Sequence, residues 1–254
     1  MALRQGELLR MGIGYQVSPL HRLIRMDTAE LHGRPAVRGE NPRLDVTKDA
    51  SGREVQIANG PLRTRSPTVD SILAWRQRLA SKYRDQLDEE LTWDEGSTYE
   101  SSDDVATSGD VMLHFAAAVL DQHGQVGLNS RIHQRRPTSD EMQAAFGNAE
   151  RRGFAGRFPQ LLLGARFWLP FSRNLMFEEP DWDGAVERYG SVPRLLDELT
   201  EIRAVIAEAD PSVEHTTEQD ALEHSLAAAW QTSATVLRLV TIAAERHLPL
   251  WTTG

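Results

Sequence analysis

Between residues 85 and 125 the chain carries 11 acidic residues and no basic one, and aromatic rings are set among them. Trp93, Asp94, Glu95, Tyr99, Asp103 and Asp104 fall in this block. A second acidic run, Glu178-Glu179-Pro180-Asp181-Trp182-Asp183, adds Trp182. Carboxylates steer a basic protein toward the surface that bears them, and a tryptophan or tyrosine supplies the desolvated contact that holds it. These seven residues are the candidate partner-binding set. Calcium does not fit Asp103-Asp104, because the spaced ligands and closing Glu of a calcium loop are missing.

Other carboxylates lie where they could hold a metal. Glu179, Asp181 and Asp183 stand at the end of a predicted strand, and with a histidine such as His114 they could hold Mg²⁺ or Mn²⁺ for phosphoryl chemistry. Glu-Pro-Asp also makes a turn for conformational reasons alone. On a helix, Asp110, His114 and Asp121 project within about 40° of one another. That is the arrangement of a general base or metal ligand with its orienting acid, or of a plain solvent edge with Asp110 serving the helix N-terminus. Asp220 and His224 repeat the Asp-x₃-His spacing, but His224 projects away from the apolar stripe of its helix, as a surface residue does. The chain has no cysteine, which excludes disulfides, thiolate nucleophiles and thiolate metal sites. Nucleophile-elbow, phosphate-loop, dinucleotide and H-E-x-x-H patterns are missing. No catalytic residue, metal ligand or cofactor is therefore assigned.

The elements that must position these residues are mostly helices. Phe167, Leu169 and Phe171 alternate with Arg166, Trp168 and Pro170, Leu175 and Phe177 repeat the alternation, and Ser172-Arg173-Asn174 offers a connection. The pattern predicts an antiparallel hairpin over 166–179. Ser191 then caps a helix with Pro193 in its first turn and Leu195, Leu199, Ile202 and Ile206 on one face. A helix opens after Ser66-Pro67-Thr68 and carries an apolar stripe as far as Leu91, with Arg76 in that stripe predicted to snorkel or meet a carboxylate. Thr107 or Ser108 caps an almost wholly apolar helix from Asp110 to about His123, followed by a loop over 124–137. Thr138 and Glu141 form a capping box for the next helix, with Met142, Ala145, Phe146 and Ala149 inward. The last helix runs from Thr217 to about His247 with Leu226, Ala229, Ser233, Val236 and Val240 inward.

Residues 1–65 read as a small β-containing lobe and 66–254 as the main domain, unless the two are continuous. Arg22 to Met26 has the look of a strand, and Leu44 and Val46 facing Val55 and Ile57 make a hairpin. Residues 1–84 carry a net +7, but the lobe's arginines are scattered between turns with only Tyr15 available for stacking, which does not favour nucleic acid. Arg131, His133, Arg135, Arg136, Arg151, Arg152 and Arg157 form a modest basic patch that could answer the acidic block within the molecule.

The fold class expected is α+β, helix-dominant, with five main helices packed on a small antiparallel sheet or hairpins. With 254 residues, 40% of them hydrophobic, the chain can bury a sizeable core, and no apolar run is long enough for a membrane span or a secretory signal. A soluble cytoplasmic protein is expected. The net charge of −9 and the acidic, aromatic-bearing block point to a binding protein whose partner is another protein with a basic surface. A bacterial immunity-type inhibitor of a basic toxin is the concrete form. The alternatives are a Mg²⁺- or Mn²⁺-dependent hydrolase and a structural subunit using the long C-terminal helix as an interface.

Overall fold

The computed structural model describes residues 12–23, 43–48, 54–59, 67–131, 137–217, 220–221 and 224–253. Its strands are β1 (Gly12–Val17), β2 (Arg43–Lys48), β3 (Glu54–Asn59), β4 (Ser101–Ala106), β5 (Phe167–Leu169), β6 (Phe177–Pro180), β7 (Val186–Ser191) and β8 (Leu250–Thr253). Its helices are α1 (Val69–Lys82), α2 (Arg84–Leu87), α3 (Thr107–Arg131), α4 (Ser139–Arg152), α5 (Pro159–Leu162), α6 (Val192–Ala209) and α7 (Ser225–Arg246). The helix-dominant α+β class holds, and the five long helices are those the apolar periodicity marks.

Local chemistry fixes the helix starts. Thr68 Oγ1 accepts from Ser71 N at 3.1 Å, and Ser191 Oγ accepts from Arg194 N at 3.3 Å. Both halves of the Thr138/Glu141 capping box form. The ends differ more from expectation. The first helix stops at Lys82, Tyr83 leaves helical geometry and Asp88 turns left-handed, so Leu87 and Leu91 reach the core from a short turn and a loop. The third helix continues past a break at Gly124 (φ 61°) to Arg131, where a loop is expected. His224 is extended and starts α7, so the anticipated 30-residue helix is broken there.

Six strands form one mixed sheet in the order β4-β1-β8-β5-β7-β6. Every neighbouring pair is antiparallel except β5 and β7, so the sheet is mixed where an antiparallel one is expected. The 166–179 hairpin is corrected: β5 and β6 are not neighbours, because β7 lies between them, parallel to β5 and antiparallel to β6. The hairpin joins β6 to β7, and the acidic turn is its loop, with Gly184 at φ 88°. Gly190 of β7 lies where a Cβ would come within 2.5 Å of Gln160 Oε1 and 2.7 Å of the Trp168 ring, so the β5–β7 contact requires glycine.

Residues 12–17 supply β1, between β4 and β8 in the main sheet. β2 and β3 form a separate antiparallel pair, as expected, but Leu44 stands opposite Ala58 and Val46 opposite Gln56, one residue off the anticipated register. Leu20–Arg22 is a 3₁₀ turn, and residues 24–26 of the expected strand lie outside the described residues.

Alternation along the strands separates two cores. On one face Phe177, Tyr189, Phe167 and Trp251 stand opposite one another across four strands, joined by Leu169 and Phe171 and covered by Ile72, Trp75 and Leu79 of α1 and by Leu87, Leu91 and Trp93. Tyr15, Val17, Val105, Trp168 and Leu250 face the other way, against α3, α6 and α7. The inward stripe of α7 is consumed there, with Leu226, Ala229, Val236, Val240 and Ala243 all buried.

Candidate functional site

The acidic stretch is partly a strand and partly core. Trp93 is 5% exposed and Glu95 3% exposed, which corrects their expected place on a binding surface. The Glu95 carboxylate accepts from the His21 backbone N at 2.6 Å, from His21 Nδ1 at 3.0 Å and from Trp93 Nε1. A buried carboxylate needs such donors to offset its lost hydration. Trp93 closes the aromatic core beside Trp75, at 6.3 Å between ring centroids, and its carbonyl accepts from Arg76 Nη1 at 2.5 Å, the Arg76 guanidinium lying 4.9 Å from the Trp93 ring centroid. Arg76 thus meets a carbonyl and a ring in place of a carboxylate. Trp182 is half-buried, edge-on to Trp75 at 5.5 Å and to Phe167 at 5.8 Å. Tyr99 is half-buried under the Arg246 guanidinium, 4.4 Å from its ring centroid.

Asp94, Asp103 and Asp104 are exposed. Asp94 Oδ1 closes a turn by accepting from Gly96 N at 3.0 Å. Asp103 pairs with Arg238 at 2.6 Å, and Glu100 with Arg22 at 3.1 Å. Farther back, Asp88 pairs with Arg173, and Glu89 accepts from Ser172 N and Oγ. Arg22, Arg173 and Arg238 answer the acidic block, and so does Arg152 of the expected basic patch, through Asp121. Of the expected basic patch, Arg152 pairs with Asp121 and Arg157 with Glu201, while residues 132–136 lie outside the described residues. Asp85, Glu89, Glu90, Asp94 and Asp104 remain exposed with no ion pair among the described residues.

The strand-end carboxylates have structural tasks. Glu179 accepts from Lys82 Nζ and from Tyr83 Oη at 2.5 Å. Burial alone would raise the Glu179 pKa, but those hydrogen bonds bring it below the usual carboxylate value. The Tyr83 hydroxyl is pushed up, first by burial and then by Glu179. Asp181 Oδ1 accepts from the backbone N of Asp183 at 2.8 Å and of Ala185 at 3.1 Å, as a turn-forming aspartate does. His114 lies on α3, which packs on the opposite face of the sheet from these carboxylates. Among the described residues no three His, Asp or Glu side chains are grouped to hold a metal ion.

The Asp110, His114 and Asp121 stripe divides into two unrelated contacts. Asp110 Oδ1 accepts from Tyr15 Oη at 2.7 Å, and His114 Nδ1 lies 2.9 Å from the Asp110 carbonyl and 3.4 Å from Oδ2. Burial and then the Asp110 charge raise the Tyr15 pKa well above its ordinary value. Asp121 Oδ1 accepts from Arg157 N at 2.5 Å, its backbone carbonyl accepts from Arg152 Nη1 at 2.6 Å, and its Oδ2 forms an ion pair with that guanidinium at 3.1 Å. Both aspartates are buried, so the stripe is not a solvent edge. His224 is exposed, but it stands at the extended residue that precedes α7 and not on a helix face.

His21, Glu198 and Gln160 hold the other polar contacts of note, and none stands out in the sequence. Glu198 is buried and accepts from the backbone N of Gln160 and Leu161, both at 2.9 Å. Gln160 Oε1 accepts from Ser191 N at 2.7 Å, tying this site to the strand that starts α6. The contacts that join Gln160 to Glu198 and Ser191 span 38 and 31 positions, so no local spacing announces them.

Compared with known protein families, curated proteins and solved structures, the chain matches none. No helix among the described residues is long and apolar enough to cross a membrane.

Proposed function

We propose that this chain is a binding protein that holds a basic surface of another protein against its acidic stretch, and that a neutralising, immunity-type partner of a basic toxin or nuclease is its concrete form. The observation that carries the reading is the set of exposed carboxylates, Asp85, Glu89, Glu90, Asp94 and Asp104, that have no ion pair among the described residues. Charge of one sign left unpaired on a surface raises the encounter rate with the opposite sign, and the effect weakens as salt screens it. Trp93 and Glu95 act behind this surface, fixing the loop against His21 and Trp75.

The test is binding to a panel of basic nucleases, measured by biolayer interferometry between about 50 and about 300 mM salt. Glu90, Asp94 and Asp104 are changed together to Lys, with Glu95 left intact because it is buried and Asp103 because it is paired with Arg238. Tight, salt-sensitive binding that the triple reversal abolishes is expected. Binding with the same affinity and salt dependence after the reversal would overturn the proposal.

A further inference from the structure

We infer that the outer edge of β4 is the docking element, and that it takes an extended lysine- or arginine-bearing segment of the partner as an added strand. The inference rests on the acidic-surface reading and specifies its mode. Among the described residues β4 is the end strand of the sheet, paired with β1 on one side only. Two hydrogen bonds fix which of its backbone groups point outward. Thr252 N donates to Arg166 O at 3.1 Å, toward the β5 side, so in the antiparallel ladders Thr253 and its partner Gly14 point toward each other. Gly14 therefore turns away from Asp104, so Ser102 and Asp104 direct their amides and carbonyls to the open side and Ala106 its amide, the Ala106 carbonyl lying at the start of α3. Independently, Asp104 N donates to the Asp103 carboxylate at 2.9 Å, the contact of an amide without a ladder partner.

Beside this edge runs a groove of about 290 Å³, with Asp104, Ala106 and Ser108 on one wall and Gln231, Thr232 and Thr235 of α7 on the other. That is just below the range of small-molecule sites, about 300–1,000 Å³, and suits one inserted side chain. Among the described residues its lining offers hydroxyl and carbonyl acceptors and one carboxylate and no cationic side chain. The Gln231 amide nitrogen is already spent on Thr216 O at 3.0 Å, which leaves its oxygen to accept. A lysine or arginine, which only donates, complements such a wall. Exposed edges are normally blunted by charge, and here Arg238 pairs with Asp103 while the charge left unpaired is the carboxylate of Asp104, which disfavours acidic strands and favours basic ones.

The experiment uses the full chain and an alternating lysine–valine octapeptide, with an alternating glutamate–valine octapeptide as control. Affinity is followed by calorimetry and backbone protection by amide hydrogen exchange. The basic peptide is expected to bind in a salt-sensitive manner and to slow exchange at Ser102 and Ala106, with the acidic peptide inert. Asp104→Lys should weaken binding at least about tenfold through lost charge complementarity. Ser102→Pro, which removes an outward amide without touching the β1 ladder, should weaken it comparably while leaving the circular dichroism spectrum unchanged. If the peptide saturates the protein yet Ser102 and Ala106 exchange as before, or if it does not bind, strand addition at β4 is overturned. The broader reading is judged separately by the nuclease panel. Should Ser102→Pro fail to fold, the exchange data on the unaltered chain decide alone.

Discussion

The two faces of the sheet solve the same burial problem with different materials. One is a row of large rings under α1 and a loop: Tyr189 lies 5.5 Å from both Phe167 and Phe177, and Trp75 rests on it at 5.2 Å. The other is covered by long helices whose contacts are mostly Ala, Val, Leu and Ile, with Phe115 among them, close-packed enough for Gly109 to meet Thr232 where a Cβ would lie 2.2 Å away. Their buried carboxylates do not divide so cleanly, since Asp181 on the aromatic side is held by backbone amides and Asp110 on the helical side by the Tyr15 hydroxyl. On the aromatic face Glu95 and Glu179 are held largely by side chains, from His21, Trp93, Lys82 and Tyr83. On the helical face Glu198 is held by two backbone amides. A thinly covered face relies on a few large residues and specific polar ties, whereas a thickly covered one spreads its stability over many small contacts.

That contrast is broken most directly at Trp75. It is buried, touches Trp93, Trp182 and Tyr189, and its Nε1 donates to Pro180 O at 3.1 Å. Trp75→Ala is expected to cost about 3–5 kcal/mol, against about 0.5–1.5 kcal/mol for Ile206→Val on the helical face. Urea denaturation measures both. Equal losses would mean that the two faces do not differ in how they concentrate stability.

Trp75 also shows where the sequence is hard to read. The apolar stripe of its helix is legible through Ile72 and Leu79, but the tryptophan that anchors it lies beside Arg76, itself an apparent anomaly until Trp93 is seen against it. Helix starts are legible because Thr68, Thr138 and Ser191 act on amides three residues away. Strand partners depend on contacts far along the chain, which is why β5 looks like the partner of β6 until β7 is found between them. β1 is disguised by Gly12 and Gly14, β8 is four residues behind a long helix, and β4 reads as an acidic loop because an edge strand needs few apolar residues. The acidic site is legible as composition. Burial of Trp93 and Glu95 is not, since it depends on His21, 74 positions from Glu95.

A smaller effect, about 1–3 kcal/mol across the pH range, is expected from Glu198. Burial first, and then the charges of Glu201 and Asp197, push its pKa from 4.5 to about 8 against the pull of its two amide donors. The folded protein then keeps a proton that the unfolded chain releases. The stability this contributes is fully present below about pH 4.5 and is lost as the pH rises through about 8. Thermal melts of the wild type and Glu198→Gln between about pH 5 and about pH 9 test the sign. The glutamine turns one acceptor into a donor facing an N–H, so the variant should be less stable at the acidic end, and its curve should fall less steeply toward the alkaline end. Parallel curves would show that Glu198 is ionised throughout and that its amide donors outweigh burial.

The smallest expected change in stability is the most useful for the β4 edge. Arg238 and Asp103 are paired at 2.6 Å with 51% and 45% of their side chains exposed, and pairs of that kind contribute between about 0 and 1 kcal/mol. Arg238→Ala should therefore leave the urea midpoint nearly unchanged. Its effect on binding should be larger and of opposite sign, because it removes the cation that neutralises Asp103 and leaves a second free carboxylate next to Asp104. The lysine–valine peptide should bind Arg238→Ala several-fold more tightly than the wild type at low salt, with a steeper loss as salt is added. A variant that loses stability by more than about 1 kcal/mol would mean that the pair fastens β4 to α7. Unchanged stability with unchanged peptide affinity would mean that the charge of Asp103 does not reach the groove, and that recognition at this edge rests on Asp104 and the open backbone alone.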